Sequence, residues 1–347
     1  DAIVLVLGIL LVLRAILSAI RTFVLPRAAN DLIARLVFVS VRRVFDLAAR
    51  RAGSYPRRDR LMSYFGPFAL MALPVVWLVV VGAGYTLIFW ALGARPFGQA
   101  LIDSGSSLLT LGFAHPKSVV DDLVAFSEAV IGLGLVALLI AYLPTIYAAF
   151  SRRELLVTLL ETRADSPPSP VTLISRLFRL HDLDHLPDLW ERWEQWFAEV
   201  EETHSSLTVV VHFRSQQPGR SWVNAAGAVL DAAAITRSSL ALPEDAHAEL
   251  MLRAGSSALR TITGVFHLPF DRSPSPASPT RIDRATFEAA LDELRDAGLP
   301  VVADRGPAWQ EFHRWRSRYD EPLKHLEELT VAPPPWWRGV EAASGPP

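Results

Sequence analysis

Apolar positions gather into three long runs in the first part of this chain and thin into helical stripes beyond it. The runs cover 2–25, 65–93 and 123–150, each long enough to cross a bilayer, whose core of roughly 30 Å needs about 20 helical residues. Between the first two, Leu32, Ile33, Leu36, Val37, Val41, Val44, Phe45 and Leu47 recur at helical spacing beside Arg35, Arg42, Arg43 and Arg50. That is the pattern of an amphipathic helix lying on anionic lipid. Between the second and third runs, Pro96 can open a helix, and Phe97, Ala100, Leu101 and Leu108 give it a packing face. A half-helix over 97–109 that re-enters the membrane is therefore predicted.

Beyond the third run the helix is expected to continue to Glu161, until Asp165, Ser166, Pro167, Pro168, Ser169 and Pro170 stop it. Further helices are predicted over 171–180, 187–215, 222–240 with Ser221 as N-cap, 244–268, 283–297 closed by Gly298, and 307–329, with a flexible joint at 273–279. The expected fold is thus an all-α membrane protein. Its parts are an N-terminal transmembrane helix (1–26), a basic interfacial connection (27–63), a hairpin-like module (64–150), a linker (151–170), a cytoplasmic helical bundle (171–270), C-terminal helices (271–330) and a disordered tail (331–347).

Composition sharpens this division. Of the 347 residues, 51% are hydrophobic and none is cysteine, which removes disulfide scaffolds, thiol nucleophiles and Cys-ligated metal centres. Residues 1–150 carry 13 Lys and Arg against 8 Asp and Glu, leaving 21 against 28 for the remainder. An acidic soluble half disfavours a nucleic-acid partner.

The basic residues also suggest a topology. Arg27, Arg35, Arg42, Arg43, Arg50, Arg51, Arg57, Arg58 and Arg60 crowd one connection, whereas 94–122 holds only Arg95 and Lys117. By the positive-inside bias the segment 27–60 is cytoplasmic and faces anionic lipid, the N-terminus and 94–122 lie outside, and the C-terminal domain is cytoplasmic. The first run is a span and not a secretory signal, because Arg14 and Arg21 lie inside and after its apolar core and residues 24–27 form no cleavage site. The absence of an initiator Met suggests that the sequence begins inside a longer chain. Arg14, near the centre of that run, requires a carboxylate, backbone carbonyls or a route to the interface.

The half-helix would deliver its negative end into the membrane centre, directly before Thr110-Leu111-Gly112-Phe113-Ala114-His115. Helix, half-helix, this motif and a second helix together resemble the pore module of the potassium-channel superfamily. The likeness extends over 65–150 and is nearest to bacterial two-transmembrane channel-like proteins with an added N-terminal span. The resemblance implies a homotetramer in the cell membrane, with a selectivity filter at Thr110, Leu111, Gly112, Phe113 and Ala114 whose carbonyls bind permeant potassium ions. His115 would then stand at the pore mouth, Gly132, Gly134 and Pro144 at a hinge or gate of the lining helix, and Glu128 behind the filter as its support. Packing is the competing account of the two glycines, and a carboxylate reaching the headgroups that of Glu128.

This motif departs from the family pattern at three places. Ala114 stands where the family has a left-handed glycine, at an expected cost of roughly 1–2 kcal/mol per chain. Phe113 lacks the phenol of the usual tyrosine. His115 replaces an acidic residue, and four such rings would gain positive charge as external pH falls and oppose cation entry.

The second half shows no enzyme site: no nucleophile, base and oxyanion donors can be assembled, and no cofactor motif is present. His181, Asp182, Asp184 and His185 lack a third zinc ligand of matching spacing. Trp190, Trp193 and Trp196 form a stripe expected in a core or subunit interface, while Glu199, Glu201, Glu202 and His204 are expected on a solvated face. Val209, Val210, Val211, His212 and Phe213 form the one strand-like run, and Asp231 is expected to pair with a basic group such as Arg214 or Arg237. The function these readings favour is conduction of monovalent cations, with a non-selective channel or a non-conducting membrane sensor as alternatives.

Overall fold

The computed structural model describes residues 1–23, 31–51, 55–114, 118–217 and 219–337. It is all-helical, 77% helix without strands among the described residues. Three of its helices are long and apolar enough to cross a membrane. The chain divides into two compact units, one of residues 1–53 and 64–148 and the other of 54–63 and 149–347.

In the first unit, α1 (Ala2–Phe23) is followed by α2 (Leu32–Arg50). The short α3 (Tyr55–Ser63) belongs to the second unit. Next come α4 (Phe65–Ala91), α5 (Phe97–Leu108) and the first part of α6 (Val119–Ala164). Helices α1 and α4 pack antiparallel because glycines let their backbones approach. A Cβ on Gly8 would lie 2.6 Å from the Gly84 carbonyl, and one on Gly84 would lie 2.7 Å from Val12.

Arg14 finds the carboxylate it requires. Its guanidinium donates to Asp31 at 2.8 Å, and Asp31 is both buried and the N-cap of α2, accepting from the Ala34 amide. The Ser18 hydroxyl donates to the same carboxylate and accepts from the Trp77 indole at 2.8 Å. Burial alone would raise the Asp31 carboxyl, but Ser18, Ala34 and Arg14 together hold it below the usual carboxylate range. The amphipathic helix predicted in the basic connection is α2, whose Phe38 and Phe45 pack edge-on against Phe65 of α4.

In the second unit, α6 ends at Ala164, where Asp165 turns left-handed at φ 63, and Ser169 caps α7 (Pro170–Arg179). Then follow α8 (Leu186–Ser206), α9 (Trp222–Ser239), α10 (Ala246–Val265), α11 (Arg284–Asp296), α12 (Arg305–Arg316) and α13 (Asp320–Thr330). Helix α9 is apolar on every side and lies at the centre of the core, as an all-round apolar helix should. Its N-cap is Ser221, which accepts from the Asn224 amide. Trp190, Trp193 and Trp196 are buried in the same core.

Several sequence expectations are corrected here. The helix expected over 187–215 stops at Ser206, and the valine run forms a 3₁₀ turn, Thr208–His212, rather than a strand. The β-branched residues after Leu207 disfavour further α-helix, and no neighbouring strand offers them a ladder. The helix expected over 307–329 breaks at 317–319 because Pro322 cannot bond to, and clashes with, the carbonyl four residues before it. His204 is fully buried, not solvated. Asp231 pairs with a basic group as expected, though with neither Arg214 nor Arg237. It accepts from Arg316 at 2.5 Å, Tyr319 at 2.9 Å and Trp336 at 2.9 Å, while Arg214 bonds Asp59 and Arg237 bonds Glu249. Trp336 and Trp337, assigned to a disordered tail, are buried in the core.

Candidate functional site

Helix α5 starts after Pro96, whose extended ψ of 175° sets Phe97 as the first helical residue. At 12 residues it is about 18 Å long, too short to span a membrane. Its packing face is the expected one in part: Ala100 is buried and Leu108 lies against Gly82, but Phe97 and Leu101 are 50% and 57% exposed, and Ser104 and Ser106 are buried in their place. Small side chains win this face because α5 lies close to two helices. A Cβ on Gly82 of α4 would come 3.2 Å from Leu108, and one on Gly132 of α6 only 2.5 Å from the Leu108 carbonyl. Gly132 is therefore required by a close approach at the end of α5, whereas Gly134 has open space around it. Pro144 lies inside α6 and is exposed.

Glu128 is fully buried and reaches Ser104, whose hydroxyl lies 2.6 Å from its Oε1 and 3.0 Å from the Gly82 carbonyl. This ties α4, α5 and α6 through one hydroxyl. One hydroxyl proton faces two acceptors, and Glu128 Oε2 has no partner. Nearby, the Tyr85 and Ser127 hydroxyls are 2.8 Å apart.

The end of α5 is a Schellman motif. The Leu111 amide donates to the Ser106 carbonyl at 2.8 Å and the Thr110 amide to the Ser107 carbonyl at 3.0 Å, with Thr110 left-handed at φ 54 in the place where glycine is usual. The Thr110 hydroxyl donates to the Leu109 carbonyl at 2.8 Å. The loop then turns back, and the Ala114 amide donates to the Ser106 hydroxyl at 3.1 Å. Left-handed backbone falls at Thr110 and at Gly112, φ 69, and not at Ala114, so the strain expected at Ala114 is absent. Within a single chain Leu111 and Phe113 are 60% and 62% exposed. His115 lies outside the described residues.

Sequence reasoning singled out Glu128 but missed Ser104 and Ser106. The available signal was a set of serines on the buried side of an otherwise apolar half-helix, where each hydroxyl needs a partner.

A second polar centre sits where α6 enters the second unit. Arg153 is 2% exposed. It donates to the Val210 carbonyl at 2.9 Å, the Phe213 carbonyl at 2.6 Å, His204 Nε2 at 3.1 Å and Glu154 at 2.8 Å. Its guanidinium lies over the Phe150 and Trp222 rings, and its own carbonyl accepts from the Trp196 indole. Sequence reasoning assigned Arg153 no part in a site.

His185 pairs with Asp182 at 2.8 Å. Among the described residues no group of three or more His, Asp or Glu is placed to hold a metal ion. Set against family models, curated proteins and solved structures, the chain matches none of them.

Proposed function

We propose that residues 64–150 form one quarter of a pore that conducts monovalent cations, potassium by preference, and that four copies complete it. The observation that carries this reading is α5, a half-helix held between two membrane-length helices by the Gly132 approach and the Ser104–Glu128 bond. It delivers the chain into Thr110, Leu111, Gly112, Phe113 and Ala114. A half-helix of this kind directs its carbonyl end at a cation. The large apolar side chains that α6 leaves exposed, among them Phe126, Val130, Leu133 and Ile140, supply surface for lipid and for neighbouring copies. In this reading the N-terminus lies outside, the C-terminal helices are cytoplasmic, and α2 rests on anionic lipid.

The test is ion flux through purified protein in liposomes, with potassium or sodium imposed in turn and external pH stepped through the range in which His115 titrates. Potassium flux exceeding sodium flux and falling on acidification is expected. Flux without preference among cations would discard the filter assignment. The Thr110 hydroxyl, which a filter would turn to the ion, instead donates to the Leu109 carbonyl and so favours a second reading, a non-conducting sensor that keeps the helical frame. A stable tetramer silent to every cation would select it.

A further inference from the structure

A groove of about 470 Å³ opens in the second unit between α10, the break at 317–319 and the bend that carries Ser273. Arg253, Ser257 and Arg260 line it from one face of α10, since positions three, four and seven apart recur on one side of a helix. Arg318 and Ser273 line it from the other two elements, and no carboxylate does. Every polar side chain on its walls is therefore an arginine or a serine.

The charges around it do not balance. Two carboxylates, Glu249 and Glu311, serve four guanidiniums. Glu249 accepts from Arg253 at 2.7 Å and pairs with Arg237 at 2.8 Å, and Glu311 accepts from Arg314 at 2.7 Å and from the Trp315 indole at 2.8 Å. The fourth guanidinium, that of Arg318, is left over: it has no carboxylate and no side-chain hydrogen bond among the described residues, and it lies 4.5 Å from the centre of the Trp315 ring. Burial, and then the positive charges of Arg314 and Arg253, push its pKa down. Arg260 has no carboxylate partner among the described residues either, and donates to the Arg272 carbonyl, which holds the bend against α10. Asp271 and Glu321 lie in the adjoining chain, but they accept from the amides of Ser273 and Asp271, and neither lines the groove. Guanidiniums gathered on one space without a counter-charge point to an anion supplied from outside.

The donor set selects among anions. Arginine forks match the edges of oxyanions. The hydroxyls of Ser257 and Ser273 have no partner among the described residues, so both can donate into the groove, whereas that of Ser256 is committed to the Leu252 carbonyl at 2.7 Å. Donors thus converge from three elements. A carboxylate would meet them with two oxygens and a single charge, while a phosphate ester brings three free oxygens and a charge of about −1.5 to −2. We propose that this groove binds a phosphate group, free or carried by a small monoester, with Arg260 and Arg318 on its oxygens and Ser257 and Ser273 donating to the rest. The proposal rests on the second unit alone and stands whether or not the pore conducts.

The test is calorimetric titration of the purified full chain, at fixed ionic strength, with inorganic phosphate, glycerol 3-phosphate and acetate. Saturable phosphate binding with a Kd below about 1 mM is expected, with acetate at least about tenfold weaker. Glycerol 3-phosphate binding at least about tenfold tighter than inorganic phosphate would identify a monoester as the ligand, and equal binding the free ion. Arg318→Gln should weaken phosphate by at least about tenfold. Arg284→Gln removes the same charge from a pair with Glu288 outside the groove and should leave binding unchanged. Ser257→Glu, at an exposed position four residues after Arg253 and three before Arg260, supplies the missing carboxylate. It should abolish phosphate binding and raise the melting temperature, and it carries the test if Arg318→Gln fails to fold. Absence of saturable phosphate binding, acetate bound as tightly as phosphate, equal losses in Arg284→Gln and Arg318→Gln, or phosphate binding intact in Ser257→Glu would each overturn the proposal.

Discussion

The Arg153 guanidinium donates to His204 Nε2 at 3.1 Å, and that bond fixes the tautomer of a buried ring. Arginine can only donate, so Nε2 accepts and the proton sits on Nδ1. Thr203 completes the pattern: its hydroxyl donates to the Glu199 carbonyl at 2.6 Å and lies 3.0 Å from Nδ1, ready to accept. The end of the third membrane-length helix is thereby anchored in the second unit through a neutral histidine.

This arrangement makes stability depend on pH in a stated direction. Burial, and then the charge of Arg153, push His204 well below the ordinary histidine range. The unfolded chain takes up a proton near pH 6.5 while the folded chain does not, so the contribution is whole above that pH and is lost as pH falls toward the folded value. The slope from this one group reaches about 1.4 kcal/mol per pH unit. Unfolding of the purified protein measured between about pH 5 and 8 should show that fall. In His204→Gln, which keeps an acceptor for Arg153, the fall should be shallower by that amount, and equal slopes would remove His204 as its source.

Asp231 lies in the core of the second unit with Arg316, Tyr319 and Trp336 as its donors. Removing one member of a buried charged pair leaves the other uncompensated, at about 3–5 kcal/mol. Arg316→Met should therefore destabilise by that order in denaturant titrations. Asp231→Asn combined with Arg316→Met should cost less than the sum of the two single changes, by about 0.5–3 kcal/mol. Strict additivity would mean that the two side chains are not coupled.

These two centres also mark the limit of what the sequence discloses. Hydropathy located α1, α4 and α6 because membrane spans need only length and apolarity. Local chemistry located the Ser221 cap and the end of α11 before Gly298, which is left-handed at φ 91, since caps act over a few residues. Asp231 and Arg316 are 85 positions apart and His204 and Arg153 are 51. No periodicity connects such partners, so a buried histidine looked like part of an acidic face and a core arginine like one more surface charge. In the half-helix, Phe97 and Leu101 looked like members of the packing face beside Ala100 and Leu108, because all four are apolar. At helix crossings this close, smallness decides, and Ser104 and Ser106 took that place.

Ser104 offers one proton to Glu128 and to the Gly82 carbonyl. Glu128→Gln supplies a side-chain N–H that can donate to the Ser104 hydroxyl, freeing the hydroxyl proton for Gly82. That variant should melt within a few degrees of the parent or above it. Ser104→Ala leaves the buried Glu128 carboxyl without a partner, while the Gly82 carbonyl keeps the Thr86 hydroxyl as donor, and should lose roughly 1–3 kcal/mol. If Glu128→Gln is as damaging as Ser104→Ala, the carboxylate has a role that this hydrogen-bond pattern does not describe.

The backbone of the candidate filter leads to a prediction for Ala114. Left-handed residues occur at Thr110 and Gly112 but not at Ala114, so Ala114→Gly relieves no strain, and potassium over sodium preference in liposomes should be unchanged. Thr110→Gly, by contrast, should stabilise the turn by about 1 kcal/mol. A rise in potassium preference in Ala114→Gly would show that the assembled filter turns residue 114 left-handed.

Gly132 and Gly134 separate a packing contact from a hinge. A Cβ at 132 would lie 2.5 Å from the Leu108 carbonyl, backbone that cannot swing aside, whereas one at 134 meets nothing within 4 Å. Gly132→Ala should therefore push α6 from the end of α5 and cost about 1–3 kcal/mol. Gly134→Ala meets no obstacle and gains helix propensity, stabilising by about 0.4–1 kcal/mol. Melting temperatures in detergent give the sign for each. Flux measured on the same two proteins then tests the gating role. If Gly134 is where the helix bends to open the pore, Gly134→Ala should be the more stable protein and the less conductive one, because the stiffness that raises its melting temperature opposes the bend.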